Sequence, residues 1–511
     1  MATSVGGQLL STLLKFVVRT VFIHTLGKSY LGINGLFSDI LTMLSLTELG
    51  FDTAINFKLY KPLAQGDQKR VRVLMKFYKQ AYRVVGTAIL ILGVCLIPLL
   101  PVLIRDYDTL HVLGINAVVI FLLHIMRTVC SYWFFAYRSA IMKANQKKYI
   151  LDLVDYAATI VNSIAEIFVL VFLKDFVLYT ATVILFNILR NIANAVISKR
   201  YYPEFFEREP DKLSKEETFG LFKDCGALFV FRFNNVVLKA TDNLVLSSFL
   251  GLSIVGVYSN YLLFFNTLRS LLRKLYVSVI ASMGNLFATA NVDKKYRFFE
   301  VMNYLTVVLY GTAAVGVAVC ANELIALWCG ENYVIQQPFS ILIGVELLFF
   351  GLMNNLAQVR NVSGVFRQMW FRPVLGTIIN LVVSIVLVQF CGIYGVILGT
   401  IISVVLSNFL VDPAVIHRYS FEKYKPVSAY YVKNIKYFVI LAAVCAGDFL
   451  LCKTIFPGHG WFSLIIHVFI VGLSVPAAYV LLFWKSHECQ YLRKLSQRIL
   501  NTLVKKLKAH A

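Results

Sequence analysis

Apolar runs of about twenty residues recur from one end of this chain to the other, and no other feature constrains its fold as tightly. Each is long enough to cross a hydrocarbon layer of roughly 30 Å as a helix. No stretch between them is long enough to fold as a separate soluble domain. The composition agrees: 59% of the residues are apolar and 15% charged, whereas soluble domains sit near 45–50% and about 25%. The expectation is an all-α polytopic membrane protein with about fourteen transmembrane helices. The runs lie near 6–26, 34–57, 84–104, 112–136, 151–173, 176–197, 227–249 and 257–283. Six more lie near 298–320, 339–358, 373–389, 393–411, 435–452 and 462–484.

Cytoplasmic loops of membrane proteins are enriched in Lys and Arg. With both termini inside, 36 of the 49 Lys and Arg fall on the cytoplasmic side, counting Lys436 at the very edge of its run, nine others lie within spans, and only Lys28, Arg105, Lys174 and Lys453 face out. A wrong number of spans would mix the two sets. This rule also absorbs the net charge of +22, so no nucleic-acid partner is expected. The nine cysteines lie mostly inside apolar runs without a CxxC pair, as small buried hydrophobes do. Residues 1–26 lack a basic leader and carry Lys15 and Arg19 mid-run, so they read as a first span and not as a cleavable signal.

Three cytoplasmic segments have organisation. Residues 66–83 read as a short basic helix opened by Asp67 as N-cap. Residues 199–224, with Pro203, Pro210 and dense charge, read as a linker between lobes. The tail 485–511 places Leu492, Leu495, Ile499, Leu503 and Leu507 on one helix face, with Arg498, Lys505 and Lys508 elsewhere, as an interfacial helix on anionic lipid does.

The chain also repeats itself. Leu26-Gly27-Lys28-Ser29-Tyr30-Leu31-Gly32-Ile33 and Leu250-Gly251-Leu252-Ser253-Ile254-Val255-Gly256-Val257 share the pattern LGxSxΦGΦ, Φ being aliphatic, at an offset of 224 residues that also carries Lys15 onto Lys239. Six spans separate the copies, so the repeats run parallel. The expected architecture is a lobe at 1–198 (helices 1–6), the 199–224 linker, a second lobe at 225–411 (helices 7–12), two further helices at 412–484, and the basic tail.

Charge inside the membrane is costly and must line water or protein. Lys15 and Arg19 are spaced i,i+4 on helix 1, and Arg232, Lys239 and Asp242 share a face of helix 7. Arg269 and Arg273 share a face of helix 8, next to Lys274, while Arg127 and Arg190 stand alone on helices 4 and 6. Arg19 and Lys239 lie roughly 20 Å above the cytoplasmic ends of their helices. Helix 2 carries the acids Asp39, Glu48 and Asp52. These acids and Asp242 serve either as coupling sites or as structural ion-pair partners. A predominantly cationic lining suits a pyrophosphate, because Arg forks onto phosphate oxygens and Lys supplies a point charge. The expected substrate-binding set is Lys15, Arg19, Arg232, Lys239, Arg269 and Arg273, with no catalytic residue, metal ligand or cofactor. Asp106-Tyr107-Asp108 sits in an outward loop, where a nucleotide-sugar role does not fit. His24 and His124 read as packing residues, and no hydrolase or nucleotide-triphosphate motif occurs.

The segments Arg19-Thr-Val-Phe-Ile-His-Thr-Leu-Gly27, Tyr30-Leu-Gly-Ile-Asn-Gly-Leu-Phe37 and Leu44-Ser-Leu-Thr-Glu48-Leu-Gly50, and then Gly66-Asp67, resemble the opening of the bacterial polysaccharide-transport family. Asp242-Asn-Leu-Val-Leu-Ser-Ser-Phe-Leu-Gly251 resembles its second-lobe start, and Cys391-Gly-Ile-Tyr-Gly395 with Gly399-Thr-Ile-Ile-Ser403 resembles its twelfth helix. That family, in the multidrug/oligosaccharidyl-lipid/polysaccharide (MOP) exporter superfamily, includes the Wzx-type flippases. The resemblance implies alternating access by two lobes. It implies an undecaprenyl-pyrophosphate-linked oligosaccharide, moved across a bacterial plasma membrane for capsule or O-antigen assembly. It further implies membrane lipids and polysaccharide polymerase or assembly proteins as partners, with the chain acting as a monomer. By similarity Arg19 takes the place of a cavity arginine, and Arg269 and Arg273 fall where related flippases carry substrate arginines. The chain departs from the family in lacking a basic segment before helix 1. The competing expectation is a cation-coupled multidrug exporter of the same superfamily, using the helix-2 acids.

Overall fold

The structure, a computed structural model, describes residues 2–45, 58–105, 107–112, 114–206, 241–365, 367–369, 371–454 and 460–510. Glu48, Asp52, Asp106, Arg232, Lys239 and most of the 199–224 linker lie outside the described residues. The secondary structure of the described residues is helical, with no strand among them. Among them nine helices are long and apolar enough to span a membrane, or ten if a pair bent by 41° counts as one span. Side chains such as Phe390 and Phe462 are 80% and 78% exposed, which a hydrocarbon surround tolerates and water does not. The chain divides into two compact units, Met1–Ser259 and Asn260–Ala511.

In the first unit, α1 (Ala2–Leu26) and α2 (Lys28–Leu44) are separated by Gly27 at φ 83°, a left-handed conformation that glycine adopts without a Cβ clash. Asp67 caps the next helix as expected, its Oδ1 accepting from Arg70 N at 2.9 Å. The short basic helix expected at 66–83 is instead the first half of α3 (Gln68–Leu96), which continues through a 3₁₀ turn so that one span runs from Gln68 to Leu103. No Pro stands at the junction after Arg83, and Gly86 there stays helical, because propagating a helix is cheaper than starting a new one. The α4 helix (Ala117–Trp133) is capped by Asn116. It ends where Phe135 takes a left-handed φ of 58°, at the 41° bend into Ala136–Ala144. The α5 helix (Lys148–Phe168) closes in a π turn, Val169–Leu173, and Asp175 caps α6 (Phe176–Tyr201). Within this unit α1 packs on α5, α4 on α3, and α6 on both α4 and α5. Helix α7 is described over 241–250, and Gly251 at φ 89° separates it from α8 (Leu252–Thr289).

The two copies of LGxSxΦGΦ meet each other. Gly32 lies so close to the Leu252 carbonyl, and Gly256 so close to the Lys28 carbonyl, that neither has room for a Cβ. Shifting Lys28 and Gly32 by 224 gives Leu252 and Gly256, so the two contacts are one contact made twice, as across a local two-fold axis. The Ser29 and Ser253 hydroxyls, also 224 apart, face each other at 3.5 Å.

In the second unit α9 (Val292–Cys329) is central. It packs against α10 (Pro338–Ser363), and 61% and 56% of their respective apolar windows are buried. Glycines make the approach close: Gly344 sits against the Ala314 carbonyl and Gly351 against the Tyr310 ring, the small-residue packing that membranes favour. Helices α11 (Arg372–Cys391) and α12 (Ile393–Val404, extended by a π turn and Val411–Tyr419) form a hairpin through Gly392. Helices α13 (Val427–Thr454) and α14 (Trp461–Leu482) follow. The tail is a single helix, α15 (His487–His510), whose first turn is docked rather than afloat: Glu488 pairs with Lys433 of α13, which also binds Glu300 of α9 at 2.9 Å.

Candidate functional site

Each unit carries buried charge, and in each the charge gathers where helices from distant parts of the sequence meet. In the first unit the half-buried Arg19 of α1 donates through Nη2 to Ser259 Oγ of α8. Its i,i+4 neighbour Lys15 is exposed. Arg19, Arg127 of α4 and Glu166 of α5 all act electrostatically on one phenol, Tyr179 of α6. Arg127 donates through Nη2 to Ser38 Oγ of α2 at 3.1 Å. Glu166, 8% exposed, accepts from Asn162 Nδ2 at 2.9 Å. The sequence put Arg127 and Arg190 alone on their helices. That changes: Arg190 lies 3.8 Å from Asp155 of α5, which also accepts from Asn194, and Arg127 is within the field of Glu166. Asp39 of α2 accepts from Asn243 of α7, and Asp242 beside it is half-buried. His124 is fully buried with both ring nitrogens in hydrogen bonds, to Ile120 O at 2.9 Å and Asn34 Oδ1 at 3.1 Å, so it is the packing residue expected.

In the second unit the Arg269 guanidinium lies 3.2 Å from the centroid of the Phe350 ring and within the field of Glu346 of α10. Cation–π contact of this kind holds a desolvated guanidinium by about 0.5–2 kcal/mol. Arg273 and Lys274, a turn further along α8, are exposed. Two further charge pairs in this unit were not foreseen from the sequence. Arg372 Nη1 contacts Asp412 Oδ2 at 2.8 Å, with Arg360 adding a second positive field. His467 Nδ1 contacts Glu323 Oε2 at 2.7 Å. An apolar pocket of about 480 Å³ between α9, α10 and α13, lined by residues such as Leu348, Phe349, Phe438 and Leu441, carries no charged side chain. It offers an anion nothing.

Of the expected binding residues, the described ones divide into Lys15 and Arg19 in the first unit and Arg269 and Arg273 in the second; Arg232 and Lys239 lie outside the described residues. The acids of α5 and α10, Glu166 and Glu346, offset cationic charge that reading helices 1, 2, 7 and 8 alone left uncompensated. The signal for them is in the sequence, as ionisable residues within apolar runs.

One solved structure, described as "Lipid II flippase MurJ, inward closed conformation", superposes with a TM-score of 0.69 over 95% of this chain and 99% of its own, at 15% identity. The fold is that of MurJ. An inward-facing multidrug-resistance MATE family transporter of the MOP superfamily also matches, with a TM-score of 0.57, 12% identity, and 81% and 96% of the two chains covered. So does the Vibrio cholerae MATE transporter VcmN, at 0.51, 14%, and 82% and 95%. No family model and no curated protein matches the chain in sequence. MurJ covers more of this chain than either MATE protein does. The chain therefore shares its fold with a protein described as a lipid II flippase and with MATE family transporters.

Proposed function

We propose that the chain is a flippase for undecaprenyl-pyrophosphate-linked oligosaccharides, of the Wzx type, working by alternating access in a bacterial plasma membrane and supplying capsule or O-antigen assembly. The architecture that goes with this reading has fourteen spans, both termini inside, and two six-helix lobes followed by two helices and a basic tail. Its substrate lining is Lys15, Arg19, Arg232, Lys239, Arg269 and Arg273. The observation that carries it is Arg19. This guanidinium lies about 10 Å from the outward end of α1, in a fold shared with a protein described as a lipid II flippase. A pyrophosphate, with oxygens that a guanidinium binds two at a time, is the group such a residue suits. An anionic substrate leaving a negative-inside cell also gains ~2.3 kcal/mol per charge per 100 mV. Arg19→Ala abolishes surface polymer while the protein remains in the membrane at normal abundance; normal polymer in that variant refutes the reading.

The MATE likeness keeps a second reading in view, a cation-coupled exporter of small cationic compounds. It would place Asp39, Glu48 and Asp52 at the centre of coupling. Loss of drug tolerance on deletion, with polymer unchanged, favours it.

A further inference from the structure

At one end of the second unit a guanidinium is held with no acceptor. Arg360 stands three residues before the end of α10, about 5 Å from it. Arg372 is the first residue of α11, and Asp412 lies in the Val411–Tyr419 segment against which α10 packs. Arg372 engages Asp412 through one contact, Nη1 to Oδ2 at 2.8 Å. The other Asp412 oxygen and the Nε atoms of Arg372 and Arg360 are buried without a hydrogen-bond partner among the described residues. Arg360 is half-buried, and its terminal nitrogens also make no hydrogen bond or ion pair, although Arg372 and Asp412 both lie within its field. Only Nε is enclosed, so the terminal nitrogens are open to a ligand from outside. Closing the helix does not explain the side chain, because the Arg360 carbonyl already accepts from the backbone N–H of Gly364 and, at 3.2 Å, of Val365. Charged donors left unfilled are costly.

Charge and position together say what fits. Asp412 balances one of the two arginines, which leaves a single uncompensated charge at Arg360. A phosphodiester matches that charge, whereas a diphosphate carries more than one guanidinium balances. The three segments belong to helices long and apolar enough to span a membrane, Pro338–Ser363, Arg372–Cys391 and Ile393–Tyr419. Arg360 and Arg372 stand at their ends, the level at which a spanning helix leaves the hydrocarbon and meets the headgroups. Just beyond Arg372, Val374, Ile378 and Val382 are exposed and spaced four apart, so they form one apolar track along α11. We propose that Arg360, with Arg372 beside it, binds the phosphodiester of an anionic phospholipid whose acyl chain lies along α11. The Arg360 fork takes the phosphate oxygens, and Asp412 holds Arg372 in place. Basic pockets between spanning helices bind lipid headgroups in this way. The lipid is a bound component of the second unit and not cargo, and the inference does not depend on the flippase reading.

The test uses the full chain in neutral detergent, with phosphatidylglycerol, phosphatidylcholine and inorganic phosphate as separate probes and binding read by native mass spectrometry. Arg360→Gln weakens the tightest phosphatidylglycerol site about tenfold, the loss expected when a charge-assisted pair is removed. Arg360→Lys, which keeps the charge but not the fork, falls between. Arg418→Gln, at an exposed arginine of the neighbouring segment, binds as wild type does. Arg360→Gln that binds no worse than Arg418→Gln overturns the site; if Arg360→Gln fails to fold, wild-type affinity in Arg360→Lys overturns it. Phosphatidylcholine, which has the same phosphodiester but no net charge, binds several-fold more weakly, and equal binding refutes an anionic headgroup. Inorganic phosphate leaves the lipid in place, and displacement of the lipid by phosphate overturns the lipid source. The assay reads binding without transport, so its failure leaves the flippase reading as it stands.

Discussion

An alanine methyl at Gly32 would stand 2.8 Å from the Leu252 carbonyl carbon and nearer still to its oxygen, and one at Gly256 would stand 3.1 Å from the Lys28 carbonyl carbon and again nearer to the oxygen. The obstacle is backbone in both cases, so no side chain can rotate away. The α2 and α8 segments must part by about an ångström, and overpacking of this kind costs about 1–3 kcal/mol. Gly35, one turn along α2 from Gly32, is the internal control: its Cβ would meet only Val255 Cγ1 at 3.8 Å and Asn243 Nδ2 at 4.0 Å, both ordinary contacts. Alanine there brings the helix-propensity gain of up to about 1 kcal/mol with no clash. Thermal unfolding of purified variants should place Gly35→Ala at or above wild type, with Gly32→Ala and Gly256→Ala clearly below it by similar amounts. The similarity matters, because it follows from the two contacts being copies of each other. A Gly32→Ala protein as stable as Gly35→Ala, or a large inequality between Gly32→Ala and Gly256→Ala, refutes the close reciprocal crossing.

Three further expectations follow from the second unit. The Arg372–Asp412 pair is buried, with side chains 13% and 2% exposed, so Asp412→Ala strands a charge and destabilises by about 3–5 kcal/mol. By contrast Arg297→Ala, at the largely exposed pair with Asp293, changes stability by less than about 1 kcal/mol; unfolding midpoints compare the two directly. For Glu488, burial pushes the carboxyl up, but the hydrogen bond from Lys433 outweighs it and holds the group below its ordinary 4.5. A depressed carboxyl contributes stability that is complete above the ordinary value and is lost as pH falls through the lowered one. Limited proteolysis should therefore find α15 protected at neutral pH and released in acid below about 4.5, and Glu488→Gln should abolish that dependence. Release at unchanged pH in the Gln variant would contradict the assignment.

Much of the fold was legible because membrane insertion writes long-range structure into short-range pattern. Apolar runs set where helices lie, and Asp67 announces the start of α3 by the same hydrogen bond that any N-cap makes. Where α3 ends was less legible: a basic stretch reads as a separate surface helix until the absence of a proline after Arg83 is weighed against the cost of a second nucleation. The repeat LGxSxΦGΦ was equally visible, down to its offset of 224 residues.

The sequence by itself determined that this chain is helical and membrane-spanning, that it repeats, and which helices carry charge, since each of these depends on residues close together along the chain. Only tertiary structure decided that the two repeat copies touch each other through Gly32 and Gly256, that Arg190 has its partner in Asp155, and that Arg19 and Arg127 meet Ser259 and Ser38. The physical reason is direction. A helix displays its side chains all round, and which face meets which partner is fixed by packing between segments hundreds of residues apart, where a one-residue rotation of about 100° would send the same charge elsewhere.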